Sequence, residues 1–258
     1  MGGDTVVKLR RALKLRDLYF AAISAIFATA IWLSPFYTAA VAGPAAVLSW
    51  IIGGIFIILL ALTWAEVGSF LPLSGGVARY LTYTHGRLAG FINGWSNILS
   101  TIVYPALETT AFITFLQAII YTINPHASIE LITPIGTPTF LGVGIALVIA
   151  VIVFIVSSTG IVTVKWMNIV VNIIKLLGYI TAIIALIAVG FLVGYWHNFT
   201  LPSFAPYGYF PIFYAIPATG IAFAYMGFRQ PVDLAAEAIS AKKDVGRAIV
   251  LAEITGLL

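Results

Sequence analysis

Apolar stretches of about 18 or more residues recur along the whole chain, and each is long enough to cross a hydrocarbon layer of roughly 30 Å as a helix. Nothing else in the sequence limits the fold so strongly. Of the 258 residues, 61% are hydrophobic and 9% are charged, whereas an average soluble domain carries roughly a quarter charged residues. A water-soluble core cannot absorb that excess. Spans are expected at about 18–42, 45–70, 89–122, 140–158, 167–193 and 211–228, with a seventh beginning near Arg247. The first run, Leu18 to Ala42, is too long for the apolar region of a secretory signal and reads as a retained span. The basic amino terminus, the glycine-rich stretch from Leu71 to Arg87 and the proline-bearing stretches 123–139 and 194–210 read as connectors. The expected class is an all-α membrane protein with one transmembrane domain over 1–258.

The basic residues test the order of crossings, because short cytoplasmic loops carry an excess of Lys and Arg. Lys8, Arg10, Arg11, Lys14 and Arg16 precede span one, Arg79 and Arg87 lie between two and three, Lys165 lies between four and five, and Arg229, Lys242, Lys243 and Arg247 follow six. All of these fall on one side if six crossings alternate from a cytoplasmic amino terminus. The loops after spans one, three and five hold none. The net charge of +4 therefore marks membrane orientation rather than nucleic acid, since no basic patch with interleaved aromatics is present.

Other classes find little support. With no cysteine, disulfides and thiolate metal sites are excluded. His85, His126 and His197 are scattered between apolar segments, so neither a metal site nor a cofactor is expected. No His-Glu-x-x-His, Gly-x-Ser-x-Gly or paired intramembrane aspartates occur, which argues against an enzyme. A channel would need a polar pore-lining face, and none is visible.

The thirteenth basic residue, Lys175, stands apart. Ten helical residues beyond Lys165 place it roughly 15 Å past the cytoplasmic interface. Charge at that depth costs about 2.5 to 3.5 kcal/mol on insertion scales and marks a candidate functional site. Two readings stand side by side: a group that takes and releases protons, and a fixed structural charge paired inside the bundle. Glu108 lies roughly 31 Å along its helix from Arg87, at the outer interface, and reads as a solvated helix end.

Two spans look interrupted. Span one contains Ala28-Thr29-Ala30 followed by Ser34-Pro35, and span six contains Ala224-Tyr225-Met226-Gly227 followed by Arg229-Gln230-Pro231. Unsatisfied backbone at membrane depth is tolerated where it is buried in protein or lines a cavity, and paired interruptions point to a substrate site. Phe27-Ala28 precedes Pro35 by the same spacing as Phe223-Ala224 precedes Pro231. Small-residue helix packing with tolerated proline is the plainer alternative.

The run Trp64-Ala65-Glu66-Val67-Gly68-Ser69-Phe70-Leu71-Pro72-Leu73-Ser74-Gly75-Gly76-Val77-Ala78-Arg79-Tyr80 resembles the signature ending span two in amino acid–polyamine–organocation permeases. Gly94-Trp95, the stretch Phe223 to Phe228, Ala235-Ala236-Glu237 and Asp244 to Ile249 are similar to the same family. The resemblance implies two inverted five-helix repeats, with residues 16–194 as the first and 195–258 opening the second through helix six and the start of helix seven. It implies that broken helices one and six cradle substrate through Ile26, Thr29, Ala30 and Ile31 and through Phe223, Met226 and Gly227. Tyr104, beside Pro105, falls where the family lines its pocket, although Pro105 also suits a simple kink. Alanines at 28 and 30 replace family glycines, whose freedom of close approach shapes the usual carboxylate site, and Arg229 stands where relatives often carry an acid.

The stretch Asn168 to Leu177 resembles helix five of sodium-independent members, whose lysine takes the place of a bound ion. This implies a proton-coupling role for Lys175. The resemblance as a whole implies a secondary transporter of the cell membrane that moves amino acids or related amines by alternating access. Its expected partners are the lipid bilayer, the small-molecule substrate and protons, together with either further copies in a homo-oligomer or a missing carboxy-terminal half. The rival expectation is a non-transporting fragment or a half-transporter, since helices eight to ten of the family fold are absent.

Overall fold

In lipid, long runs of Leu, Ile, Val and Ala leave the backbone one local way to satisfy its own donors and acceptors, and that is the helix. The computed structural model describes residues 11–73, 75–133, 135–199 and 203–258; Lys8, Arg10 and Ser74 lie outside them. In chain order the helices are α1 (Leu15–Ile26), α2 (Thr29–Ala42), α3 (Ala46–Phe70), α4 (Gly76–Ile102), α5 (Tyr104–Ile123), α6 (Phe140–Ser158), α7 (Ile161–Val193), α8 (Phe210–Ala218), α9 (Ile221–Ala224), α10 (Arg229–Asp233) and α11 (Ala241–Leu257). Among the described residues there is no strand, and the fold is all-α.

Helical stretches long and apolar enough to cross a membrane are Leu15–Phe70, Gly76–Ile123, Phe140–Ser158 and Ile161–Val193, with the bent pair Phe210–Ala218 and Ile221–Asp233 as a fifth. The first is 56 residues long, or about 84 Å of helix, and a 3-10 turn at Gly43–Ala45 divides it into two of the expected spans. This is a multi-pass membrane protein.

Several boundaries depart from expectation. The connector placed at Leu71–Arg87 is helical from Gly76 and is interrupted at Gly86 (φ 85, ψ 180). Span three, expected as 89–122, is two helices that meet at Val103, just before Pro105. Span five begins at Ile161 rather than 167, and span seven at Ala241 rather than Arg247. Hydropathy marks only the part of a helix immersed in hydrocarbon, while backbone hydrogen bonding carries the helix on into the polar interface.

The described residues form two compact units, one drawn from Met1–Arg79 and Lys165–Leu258, the other from Tyr80–Val164. In the first, α11 packs on α3 and α1. Small residues on α3 let the backbones approach, as membrane helix interfaces favour. Gly53 lies against Ile216 and Ile221, Gly54 against Tyr225 and Leu257, and Gly68 against Val232 and Val245. Ala22, Ile23, Ile26, Phe27 and Ala252 make a buried cluster beside them.

One end of this unit is held by charge. Asp17 is buried, accepts the Lys14 backbone N–H at 2.9 Å and pairs with Lys165 at 3.2 Å and Arg16 at 3.5 Å. The Arg16 guanidinium lies 5.6 Å from the Trp166 ring. The starts of α1 and α7 therefore share one end with their basic residues, as alternating crossings require. At the same time the Glu237 carbonyl accepts the Ala12 and Leu13 amides at 2.9 and 3.1 Å, which fastens the segment before span one to the one after span six.

In the second unit the α5–α6 connector is folded onto its helices. Gln117 donates to the Ile129 carbonyl at 2.9 Å and accepts the Leu131 amide. Thr139 caps α6 by accepting the Gly142 amide at 3.1 Å.

Candidate functional site

The first unit contains both interrupted spans. Span one breaks where expected: Phe27 still donates to the Ile23 carbonyl at 2.8 Å, Ala28 is extended (φ −95, ψ −168), and α2 restarts at Thr29. A helix that stops inside the membrane leaves its last carbonyls without intrahelical donors. Here another helix supplies a donor to one of them and a second donor to the turn before. The Lys175 ammonium donates to the Ser24 carbonyl, in the final turn of α1, at 3.3 Å. Asn172 donates to the Phe20 carbonyl at 3.0 Å and to Asn168 at 2.7 Å. Tyr179 places its ring 4.8 Å from Phe27 and 4.5 Å from Trp32, bracketing the break. Positions 172, 175 and 179 recur at helical spacing, so one face of α7 serves the interruption.

The first of these contacts has an electrostatic reason. The carboxy-terminal end of a helix carries the negative end of the backbone dipole, and a cation there gains about 0.3 to 2 kcal/mol, toward the upper figure when partly buried. Lys175 is half-buried and lies near the midpoint of α7.

Span six breaks earlier than expected. Instead of failing first at Ala224–Gly227, it stops at Thr219–Gly220, where α8 and α9 bend by 50°. Gly220 adopts φ +87, and a β-carbon there would stand 2.8 Å from the Ser34 hydroxyl, so both conformation and space call for glycine. The Thr219 and Thr38 hydroxyls lie 2.8 Å apart, one donating to the other, and the accepting hydroxyl donates in turn to the carbonyl four residues before it, Ala215 or Ser34. The irregularity continues through a 3-10 turn at Met226–Phe228, inside the expected segment.

Of the residues named from sequence, Ile26 and Gly227 meet directly. A β-carbon on Gly227 would lie 2.5 Å from the Ala22 carbonyl oxygen and 2.8 Å from the Ile26 amide nitrogen, so the turn rests on the α1 backbone. Ile26 is 1% exposed, which leaves its end-of-helix backbone rather than its side chain to contact a ligand. Thr29, Ala30 and Ile31 begin α2 and are half-buried, whereas Phe223 and Met226 are exposed at 43% and 38%. Tyr104 begins α5 in the other unit and is half-buried there, and Glu108 is exposed four residues on. Arg229 pairs with Asp233 at 4.0 Å.

Sequence reasoning misses three participants. Asn172 carried a signal, an amide in an apolar helix three residues before Lys175. The Thr38–Thr219 pair had none, because hydroxyls in membrane helices ordinarily bond their own backbone. Glu253, fully buried in α11, was legible as an acid within an apolar run.

Residues 13–258 match the amino acid permease family. Among similar proteins of Bacillus subtilis, the glutamate/serine transporter AimA is 33% identical over 85% of this chain and 40% of its own length. The aspartate-proton symporter is 30% identical over 96% and 46%, and the branched-chain amino acid permease BcaP is 28% identical over 94% and 51%. The chain thus spans about half, or less, of these relatives. It belongs to the amino acid permease family, within the amino acid–polyamine–organocation superfamily.

Proposed function

We propose that this chain supplies the first five-helix repeat (16–194) and the opening of the second (195–258) of a proton-coupled transporter that carries amino acids or related amines across the cell membrane. Its amino terminus faces the cytoplasm. The observation that carries this reading is Lys175 donating to the Ser24 carbonyl at the end of broken α1. Protonated, the ammonium holds that end as a bound cation would; deprotonated, it loses the charge that the helix end attracts, and α1 is freed to move. Rocking of the broken helices about a mid-membrane site then alternates access.

Substrate in this account rests on backbone from Ile26, Thr29, Ala30, Ile31 and Gly227, flanked by Phe223 and Met226. The names of relatives that move glutamate, serine and aspartate, the last with a proton, support small polar amino acids as the first to try. The test is uptake of labelled aspartate, glutamate and serine by the complete transporter containing this chain, in liposomes under an inward proton gradient without sodium. The account expects accumulation that a protonophore abolishes. Uptake that requires sodium, or none for any amino acid, would overturn it.

A further inference from the structure

Glu253 lies six residues, about 9 Å, beyond Arg247 along α11. It is 0% exposed, and neither carboxyl oxygen has a hydrogen-bond partner. The helix that carries it packs against the Met226–Phe228 3-10 turn of span six. Tyr225 is turned toward the Trp50 carbonyl, at 3.5 Å.

The elements packed on α11 are α1, α3, α10, the Met226–Phe228 turn and the Ala235–Glu237 turn. Their charged groups do not answer Glu253. Arg16 is engaged with Asp17 and Arg229 with Asp233, Glu66 is exposed on α3, and Glu237 is of like charge. Tyr19 on α1 bonds Thr255 at 3.2 Å. On α11 itself, Lys242, Lys243, Asp244 and Arg247 all lie toward its start.

A carboxylate enclosed without donors or a counter-ion is strongly disfavoured, and such a group takes up a proton instead. We propose that Glu253 is a second proton site, one that holds its proton while the Met226–Phe228 turn is seated against α1 and α11 and releases it when the turn lifts. On release the O–H bond breaks, the proton passes to water admitted by the movement, and the carboxylate becomes hydrated; reseating returns the proton. Lys175 reports on the broken end of span one, whereas Glu253 reports on the break of span six, beside Gly227. The transport reading gives this site its purpose, but the test below does not depend on transport.

The experiment is infrared difference spectroscopy of the protein in lipid nanodiscs, comparing acidic with alkaline buffer. The expected result is a protonated-carboxyl stretch present in acid, lost in alkali and absent from E253Q. If E253Q fails to fold, E253D must displace the same band. A carboxyl band that persists at every pH, or one that E253Q or E253D leaves unchanged, would overturn the proposal. Failure of the complete transporter to take up any amino acid would sink the transport reading and leave this result standing.

Discussion

Spans one and six are both interrupted, but from opposite materials. The break in span one has no glycine or proline at its point of rupture, only Phe27, Ala28 and Thr29, and is met by Lys175 and Tyr179 from α7. The break in span six is written into its own chain by Gly220 and Gly227. A cation attends the carbonyl end of the first, and a buried acid lies on the helix packed against the 3-10 turn of the second. One break therefore has a charged partner on another helix, while the other is set by local shape. Substitutions of the first should change coupling before stability; those of the second should do the reverse.

The comparison breaks most visibly at Gly227. Valine there would drive a side chain into the Ala22 carbonyl and Ile26 amide, and overpacking of this kind costs about 1–3 kcal/mol or more. Gly227→Val is expected to lower the thermal unfolding midpoint in detergent sharply, whereas Ala30→Gly in span one shifts it little. Equal shifts would erase the distinction.

A smaller effect is expected at the hydroxyl pair that ties α2 to the span-six break. Thr38→Val and Thr219→Val, measured singly and together by chemical unfolding in detergent, should give a coupling energy of about 0.6–1 kcal/mol, the range of hydrogen bonds between membrane helices. Strict additivity would show that the two breaks are not joined there.

The smallest effect concerns the join outside both breaks. Burial raises the Glu237 carboxyl above its usual range, so the folded state favours the protonated form. Docking of the segment before span one is thus fully supported below the normal carboxylate range and weakens as pH rises through the raised one. Amide exchange at Ala12 and Leu13, which donate to the Glu237 carbonyl, should show extra opening over that interval in the parent, and Glu237→Gln should flatten it. The same excess in both proteins would exclude Glu237.

How much of this was legible follows from what each residue does. The crossings were readable because hydrocarbon thickness sets a length, and Lys175 because charge in an apolar helix is costly wherever it sits. The break at Ala28 was readable from weak helix ahead of Pro35. Gly220 was not, because glycine in a membrane helix usually serves packing, and only the Ser34 hydroxyl and the positive φ show otherwise. The early starts of α4, α7 and α11 lie in the polar interface, where hydropathy no longer distinguishes helix from loop. Gly227 was expected to cradle substrate, and what the structure shows there is the close approach of α1.

The claim at the centre is that a titrating cation at the end of α1 couples protons to transport. A charge-assisted hydrogen bond is worth about 1.5–3 kcal/mol, so its loss corresponds to roughly tenfold or more. The direct measurement is amino acid accumulation by the complete transporter in proteoliposomes under an inward proton gradient, for the parent and for Lys175→Ala. Accumulation reduced at least about tenfold in Lys175→Ala, with the parent's dependence on pH gone, is the result the account predicts. Equal accumulation with the same pH dependence would contradict it and return Lys175 to the role of a fixed charge pinning α1 to α7.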